Sequence, residues 1–477
     1  MMWLRLLLMI PFLTLLMGCE PASLTVMEPL RRGVGLDVGP WVTLISVEPF
    51  RVCISWLTAS DSVQSMMTYI LDEGPETIIT SEDDGCLHRV CMDLPAGARL
   101  RFRPAHTTPS MEKDAFFTLV TPSAGKPMKL VVLGDIQPRD ESTEASASLV
   151  LDAVRREEPD WVIQVGDALQ DGSEAVSWRH LLAVLPRLGA EIPLALVPGN
   201  HDIRHDDGAS WTLGFAQPVA PDVDRRHRIL DAGQARFFLL DAFYGALTPR
   251  DFAWLEARLE EALSAGLWRF VFFHGSILSS GMENMDLDLQ EQLIPLFDRM
   301  RVHAVFYGHD HMYEHHELTY GPWLFSPDHL PAGHRVHYFL TGGGGARLEH
   351  EYGLMTRPET SYSRTLHDAQ TGLERDFRFS RRHWNDDQVN ELADPAWSRG
   401  GLAWFHDCSV ECYQDDSLFW GQRYGENVLH YLTLEIDGDR AVVSARYPDG
   451  SIMSGPDGTD DQVFVIERET YNAVQFR

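Results

Sequence analysis

Four short apolar runs in this chain end in the same kind of polar punctuation. Residues 130–133 lead into Gly134-Asp135-Ile136-Gln137, residues 161–165 into Gly166-Asp167, residues 269–273 into His274, and residues 303–307 into Gly308-His309-Asp310-His311. Apolar runs of this length, bounded by turn residues, read as buried strands. After Pro127 they alternate with segments of helical period. Residues 141–157 predict a helix with Leu149, Val150, Ala153 and Val154 on one side. Residues 248–263 predict a second, with Thr248 as N-cap, Pro249 at the first helical position and Asp251 completing an acidic capping pattern. Phe252, Leu255, Leu259 and Ala262 form its apolar stripe. A third fits residues 288–300. Residues 228–231 and 235–241, joined through Gly233-Gln234, predict a hairpin, so the sheets are expected to be mixed. Strands alternating with helices indicate a layered α/β domain.

Upstream the rhythm differs. Residues 51–58, 66–71, 88–94, 99–103 and 116–120 read as short strands, a spacing that predicts a β-sandwich in which Cys53 and Trp56 are core. Residues 121–127 read as a linker. Residues 348–427 interrupt the α/β pattern with charge, tryptophan and turn residues and are expected to form an insertion over one edge; Trp404 and Phe405 there are core candidates before cleft candidates. Strands return at residues 428–436, 441–447 and 463–467.

A length of 477 residues suggests two or three domains. The formal charge of -30 argues against a broad nucleic-acid-binding surface, yet admits a small phosphate ester if metal ions supply local positive charge. Residues 1–18 have the form of a signal peptide: Arg5 is the one charge, and the apolar run is shorter than the ~20 residues that span a bilayer. Leu16-Met17-Gly18-Cys19 resembles the bacterial lipoprotein cleavage box, which implies a lipid anchor at Cys19 in the cell envelope; an ordinary secretory signal or an uncleaved anchor are the alternatives. Cys86 could pair with Cys91, Cys408 with Cys412, or Cys53 with Cys91.

The punctuation carries the chemistry. Asp135, Gln137, Asp167, Asn200, His201, His274, His309 and His311 offer carboxylate, amide and imidazole donors, a set suited to two divalent metal ions rather than to one structural zinc. Strands ending in such donors would deliver them to one rim of a sheet, where ligand sites of open α/β sheets lie.

In order, the motifs GDIQ, GDALQDG, GNHD, FFHG and GHDH resemble those of the calcineurin-like metallophosphoesterase superfamily over residues 128–345. Gly308-His309-Asp310-His311-Met312-Tyr313-Glu314 and the glycine run Gly342-Gly343-Gly344-Gly345 are similar to the purple acid phosphatase branch. The early tryptophan-bearing strand and residues 94–103 resemble a fibronectin type III module. The resemblance implies that Asp135, Gln137, Asp167 and His311 hold a first metal. Asp167, Asn200, His274 and His309 would hold a second, with Asp167 bridging. His201 would be the general acid. Two cations would acidify a shared water whose hydroxide attacks phosphorus in line. Gln137 departs from the branch, where histidine is usual, and weakens the case for the first metal. Gln170 stands where the purple enzymes have tyrosine, so no purple colour is expected, and Mn, Zn or Fe(II) all suit the donors. Asp202 is expected to orient His201 or to cap its loop. His205, His315 and His316 are expected to be exposed polar residues or hydrogen-bonded neighbours, and Tyr313 and Glu314 to support or pack.

The organisation expected is a leader at residues 1–18, a tether at 19–36, a fibronectin-like sandwich at 37–122 and a phosphoesterase domain at 127–477. The activity expected is hydrolysis of phosphate esters, monoesters before diesters. Two rivals are a surface-anchored binding protein with an impaired core and an adhesion protein whose working part is the sandwich.

Overall fold

The computed structural model describes residues 30, 38–59, 65–105, 116–123, 125–218, 223–243, 245–279, 286–319, 335–348, 361–367, 374–380, 403–404, 422–454 and 461–468. The leader, Cys19, Cys408, Cys412 and Phe405 lie outside them, as do most of the tether and of the expected insertion. No helix among the described residues is long and apolar enough to cross a membrane.

Eight strands come first: β1 (Val38–Ser46), β2 (Phe50–Leu57), β3 (Met66–Leu71), β4 (Thr77–Thr80), β5 (Glu82–Asp84), β6 (Leu87–Leu94), β7 (Arg99–Pro104) and β8 (Phe117–Val120). Then strands and helices alternate: β9 (Met128–Leu133), α1 (Glu141–Arg156), β10 (Trp161–Val165), α2 (Ala175–Val184), α3 (Pro186–Gly189), β11 (Leu194–Val197) and α4 (Ala209–Gly214). The hairpin β12 (Arg228–Ala232) and β13 (Ala235–Leu239) is followed by α5 (Pro249–Ser264), β14 (Trp268–Phe272), α6 (Leu287–Arg299), β15 (Ala304–Tyr307), β16 (Tyr313–Thr319) and β17 (Arg335–Thr341). Within the expected insertion lie β18 (Ser361–His367), β19 (Glu374–Ser380), β20 (Ala403–Trp404) and β21 (Gln422–Glu426). The chain returns through β22 (Tyr431–Asp437), β23 (Arg440–Arg446) and β24 (Val463–Glu467).

Two large mixed sheets result. One runs β24-β23-β22-β9-β10-β11-β1-β2-β6-β5, the other β12-β13-β14-β15-β17-β16-β21-β20. Strand alternation sorts their side chains. Leu130, Val132, Ile163 and Val165 of the first sheet meet Phe237, Phe270, Phe272, Phe306 and Phe339 of the second in one central core. The opposite face of the first sheet, with Val131, Leu133 and Val162, packs on α1 and α2. The opposite face of the second, with Phe238, Val271 and Val305, packs on α5 and α6. Both faces of each central strand are thus covered, which is why these strands read as unbroken apolar runs.

Helix ends follow their capping signals. Asp140 accepts from the Thr143 N–H in a capping box at α1, and Thr248 accepts from the Asp251 N–H at α5. One face differs from expectation: Leu149 is exposed, and Leu151 with Ala147 joins Val150, Ala153 and Val154 in the buried side of α1.

The N-terminal strands form a smaller sheet, β4-β3-β7-β8, which shares the central core through Met67, Leu100, Phe102 and Leu119. Strands β1, β2, β6 and β5, however, are not set apart by the linker at residues 121–127. Strand β1 pairs in parallel with β11, Thr43 opposite Leu194, so the first large sheet continues straight through the expected boundary. Trp41 donates its indole N–H to the Gly214 carbonyl at 3.1 Å, and Arg228 reaches the Leu44 carbonyl at 3.2 Å. Of the open disulfide alternatives, Cys53–Cys91 forms, across directly paired positions of β2 and β6; Cys86, buried nearby, is therefore not the partner of Cys91.

Candidate metal centre

Parallel strands β9, β10 and β11 of one sheet and β14 and β15 of the other end at the same rim, and the loops that leave them carry the donors. Their backbones turn sharply: φ is +58° at Asp135, +30° at Gln137, +57° at Asp167 and +79° at His309. Non-glycine residues rarely adopt such angles, and clusters of them mark sites where surrounding structure fixes a demanding geometry. Two glycines make the approach possible. Gly166 has φ +93°, and a Cβ there would overlap the His274 ring; a Cβ at Gly199 would overlap Asp167 Oδ1.

Asp167 sits at the middle. Its Oδ1 accepts from the His201 backbone N–H at 2.9 Å, and its Oδ2 lies 3.2 Å from His274 Nε2 and 2.7 Å from Gln137 Nε2. Ligating atoms of Asp167, His274 and His309 all fall within 4.8 Å of one another. Asn200 Oδ1 is 3.1 Å from His274 Nε2, which adds a neutral oxygen to that group. On the far side of Asp167, Asp135 accepts from the His309 backbone N–H at 3.1 Å and lies 3.5 Å from His311 Nε2. All eight residues singled out from the sequence are therefore brought to one rim, with His201 at its margin.

The imidazoles are oriented from behind. His274 Nδ1 donates to the Val165 carbonyl at 2.9 Å, and His311 Nδ1 to the Arg347 carbonyl at 2.5 Å. A carbonyl accepts only, so each ring carries its proton on Nδ1 and turns Nε2 towards the carboxylates, the arrangement typical of metal-ligating histidines. The donors at the Asp167 end thus fit a divalent cation: one carboxylate, one amide and two imidazoles, of which the His274 ring is held by a carbonyl.

Electrostatics point the same way. Burial alone would push the Asp167 carboxyl up, but the positive His274 beside it wins and holds it below the usual range. His274 is raised to about 10 because Asp167 and Asp135 outweigh its burial. Burial, then the charge of His274, pushes His309 down to about 3. Asp202 rises to about 7, from burial and the nearby Asp167 charge. A bound cation would take over from the positive His274 as the countercharge to the buried Asp167 carboxylate.

His201 and Asp202 divide the work of their loop. The His201 Nδ1 lies 2.7 Å from the Gln170 carbonyl and 3.2 Å from the Gln170 amide nitrogen. The closer partner accepts only, so Nδ1 carries the proton and Nε2 faces Arg204, 3.4 Å away. Asp202 is buried and accepts from the Leu169 N–H and the Gly199 N–H, both at 2.9 Å. It ties the loop of Asp167 to the loop of Asn200 rather than touching His201. Sequence reasoning passed over Arg204 and Arg347. The signal for Arg204 was a cation three residues beyond His201 in a strongly acidic chain. Arg347 acts through its carbonyl, which no side-chain pattern reveals.

The neighbouring histidines divide. His205 is exposed and pairs with Asp171 at 2.7 Å. His315 and His316 are buried, against the alternative of exposure: His316 pairs with Glu314 at 2.9 Å and His315 with His337 at 3.1 Å. Tyr313 is buried and packs on His430.

Comparison with known proteins agrees with this geometry. Residues 128–313 match the family model described as calcineurin-like phosphoesterase. Purple acid phosphatase 4 of Arabidopsis thaliana is 24% identical over 282 residues, covering 53% of this chain and 78% of that protein. The glycerophosphodiester phosphodiesterase GpdQ of Enterobacter lignolyticus (strain SCF1) is 31% identical over 171 residues, covering 33% of this chain and 57% of that one. Among solved structures, the purple acid phosphatase PPD1 from yellow lupin (Lupinus luteus) seeds superposes with a TM-score of 0.58 at 14% identity, over 91% of this chain and 75% of that one. PhoD superposes with a TM-score of 0.52 at 10% identity, over 93% of this chain and 94% of that one, a likeness of fold. Convergent donors on strand ends and the family match lead to one statement: residues 128–313 carry a calcineurin-like phosphoesterase domain, and the chain is similar to the purple acid phosphatases.

Proposed function

We propose that the protein hydrolyses small phosphate esters with divalent cations held at this centre, monoesters before diesters. The observation that supports this is the convergence of Asp167, Asn200, His274 and His309 on one point, with Asp135, Gln137 and His311 beside them. The first four would hold one cation; Asp135, Gln137 and His311, with Asp167, are the candidates to hold another. Such cations, when bound, polarise phosphoryl oxygens and acidify a nearby water.

The chain's own residues supply the rest. His201, pinned at Nδ1 by the Gln170 carbonyl, presents Nε2 as the atom to carry a proton to the departing ester oxygen. Arg204 beside it puts positive charge where substrate oxygens would arrive. Asp202 keeps the His201 loop in register with Asp167. Export and lipid anchoring at Cys19 in a bacterial envelope belong to the same reading, supported by the leader pattern of residues 1–19. Gln137 favours a second reading, a surface-anchored binding protein that has lost turnover.

Chromogenic mono- and diesters, assayed before chelation, after it, and after adding back Mn(II), Zn(II) or Fe(II), separate these readings. Turnover that chelation removes and metal restores is expected, with the monoester faster. No turnover from metal-loaded protein would leave the binding reading.

A further inference from the structure

The two halves of the donor set are not equivalent, and the difference lies in one hydrogen bond. Asp167 is the carboxylate through which two cations would have to be joined. Its two oxygens offer about four lone-pair positions. Oδ1 gives one to the His201 backbone N–H. Oδ2 faces His274 Nε2 with one and gives another to Gln137 Nε2 at 2.7 Å. The amide must present its NH2 there, because a carbonyl oxygen that close to a carboxylate would be repelled. The lone pair that a second cation would need on Oδ2 is therefore taken by the chain itself.

Gln137 is also held in place. Its side chain is buried, its φ is +30°, and its backbone N–H donates to the Asp167 carbonyl at 3.3 Å. A cation arriving between Asp135 and Asp167 would have to displace a charge-assisted hydrogen bond and accept a neutral carbonyl in return. At the other end the contacts among Asp167, Asn200 and His274 run between atoms that could all turn to a cation, with no amide NH2 among them, and the Nδ1–H of His274 is already anchored on Val165.

Resting on the metal-dependent reading above, we infer that Gln137 is a hydrogen-bond donor to Asp167 and not a metal ligand. The chain then retains one divalent cation, on Asp167, Asn200, His274 and His309. Asp135 and His311 remain as a two-donor position that a second cation fills only weakly.

The test reads metal rather than turnover. Full-length protein is stripped with chelator, reloaded with excess Mn(II), desalted, and analysed by elemental analysis and electron paramagnetic resonance. One equivalent per chain is expected, with the spectrum of an isolated Mn(II). Gln137→His should raise retention to two equivalents and give the spectrum of a coupled pair, while Gln137→Ala should stay at one. Circular dichroism and thermal melting establish that each variant is folded. Two retained equivalents in the parent chain would overturn the inference and leave the phosphoesterase reading standing. A folded Gln137→His that still retains one would also overturn it, since Gln137 would not be what empties the position. A folded parent chain that retains no metal would sink both readings together.

Discussion

Asp202 is the residue whose removal has the most calculable consequence. Its two carboxylate oxygens accept from the buried N–H groups of Leu169 and Gly199, each at 2.9 Å, and its own backbone is packed against Gly172. Asp202→Ala leaves both N–H groups without an acceptor. A buried donor left unsatisfied costs about 1–3 kcal/mol, so the pair costs about 2–6 kcal/mol. Asp202→Asn keeps one acceptor and turns an NH2 towards the other donor, for about 1–3 kcal/mol. The expected order of stability is parent, Asn, Ala. Urea unfolding of the metal-free proteins, followed by circular dichroism, reads these differences directly. The same variants should retain less Mn(II), because Asp167 and Asn200 sit on the two loops that Asp202 joins. An Asp202→Ala protein within about 0.5 kcal/mol of the parent would refute the claim that this carboxylate clasps the loops.

Other outcomes follow from other parts of the molecule. His201→Ala should slow hydrolysis of esters with poor leaving groups by about 10²–10⁴-fold and of nitrophenyl esters far less; equal losses on both would remove its role as proton donor. Burial pushes His430 down to about 4, against a partly compensating hydrogen bond to the Val428 carbonyl. The unfolded chain takes up that proton near 6.5, so the contribution is complete above 6.5 and lost as pH falls towards 4. About 2 kcal/mol should disappear between about pH 7 and about pH 4.5, and His430→Gln should lack that part of the slope in urea melts. Replacing Cys53 and Cys91 together with alanine releases a link between positions 38 apart, and should lower stability by about 2–4 kcal/mol in the same assay; an unchanged midpoint would mean that the β2–β6 ladder alone fixes the pair.

The centre was legible because each donor ends an apolar run, and a strand end is where a sheet can gather residues distant in sequence. Helices α1, α5 and α6 were legible through period and caps. Helix α2 was not: its N-cap, Glu174, makes no side-chain cap, and no polar stripe offsets its apolar residues. Of the two alternatives left open for His315 and His316, the hydrogen-bonded one holds: adjacent strand residues face opposite sides, and here both sides are covered. The parallel pairing of β1 with β11 joins positions some 150 residues apart, and no local period encodes a partner at that distance. The hydrogen bond from Gln137 was equally hidden, since a glutamine reads the same whether its oxygen or its nitrogen faces the neighbour.

The seam between β1 and β11 bears on how this protein can be divided. A fragment starting at Pro127 would bare the flank of β11, a short, fully buried strand in the middle of a ten-stranded sheet. Bare edges of that kind invite pairing with other chains, so the shortened protein should aggregate more readily than the whole one. Strand β1 thus seals the flank of these layers, and any shortened version of the protein should keep it.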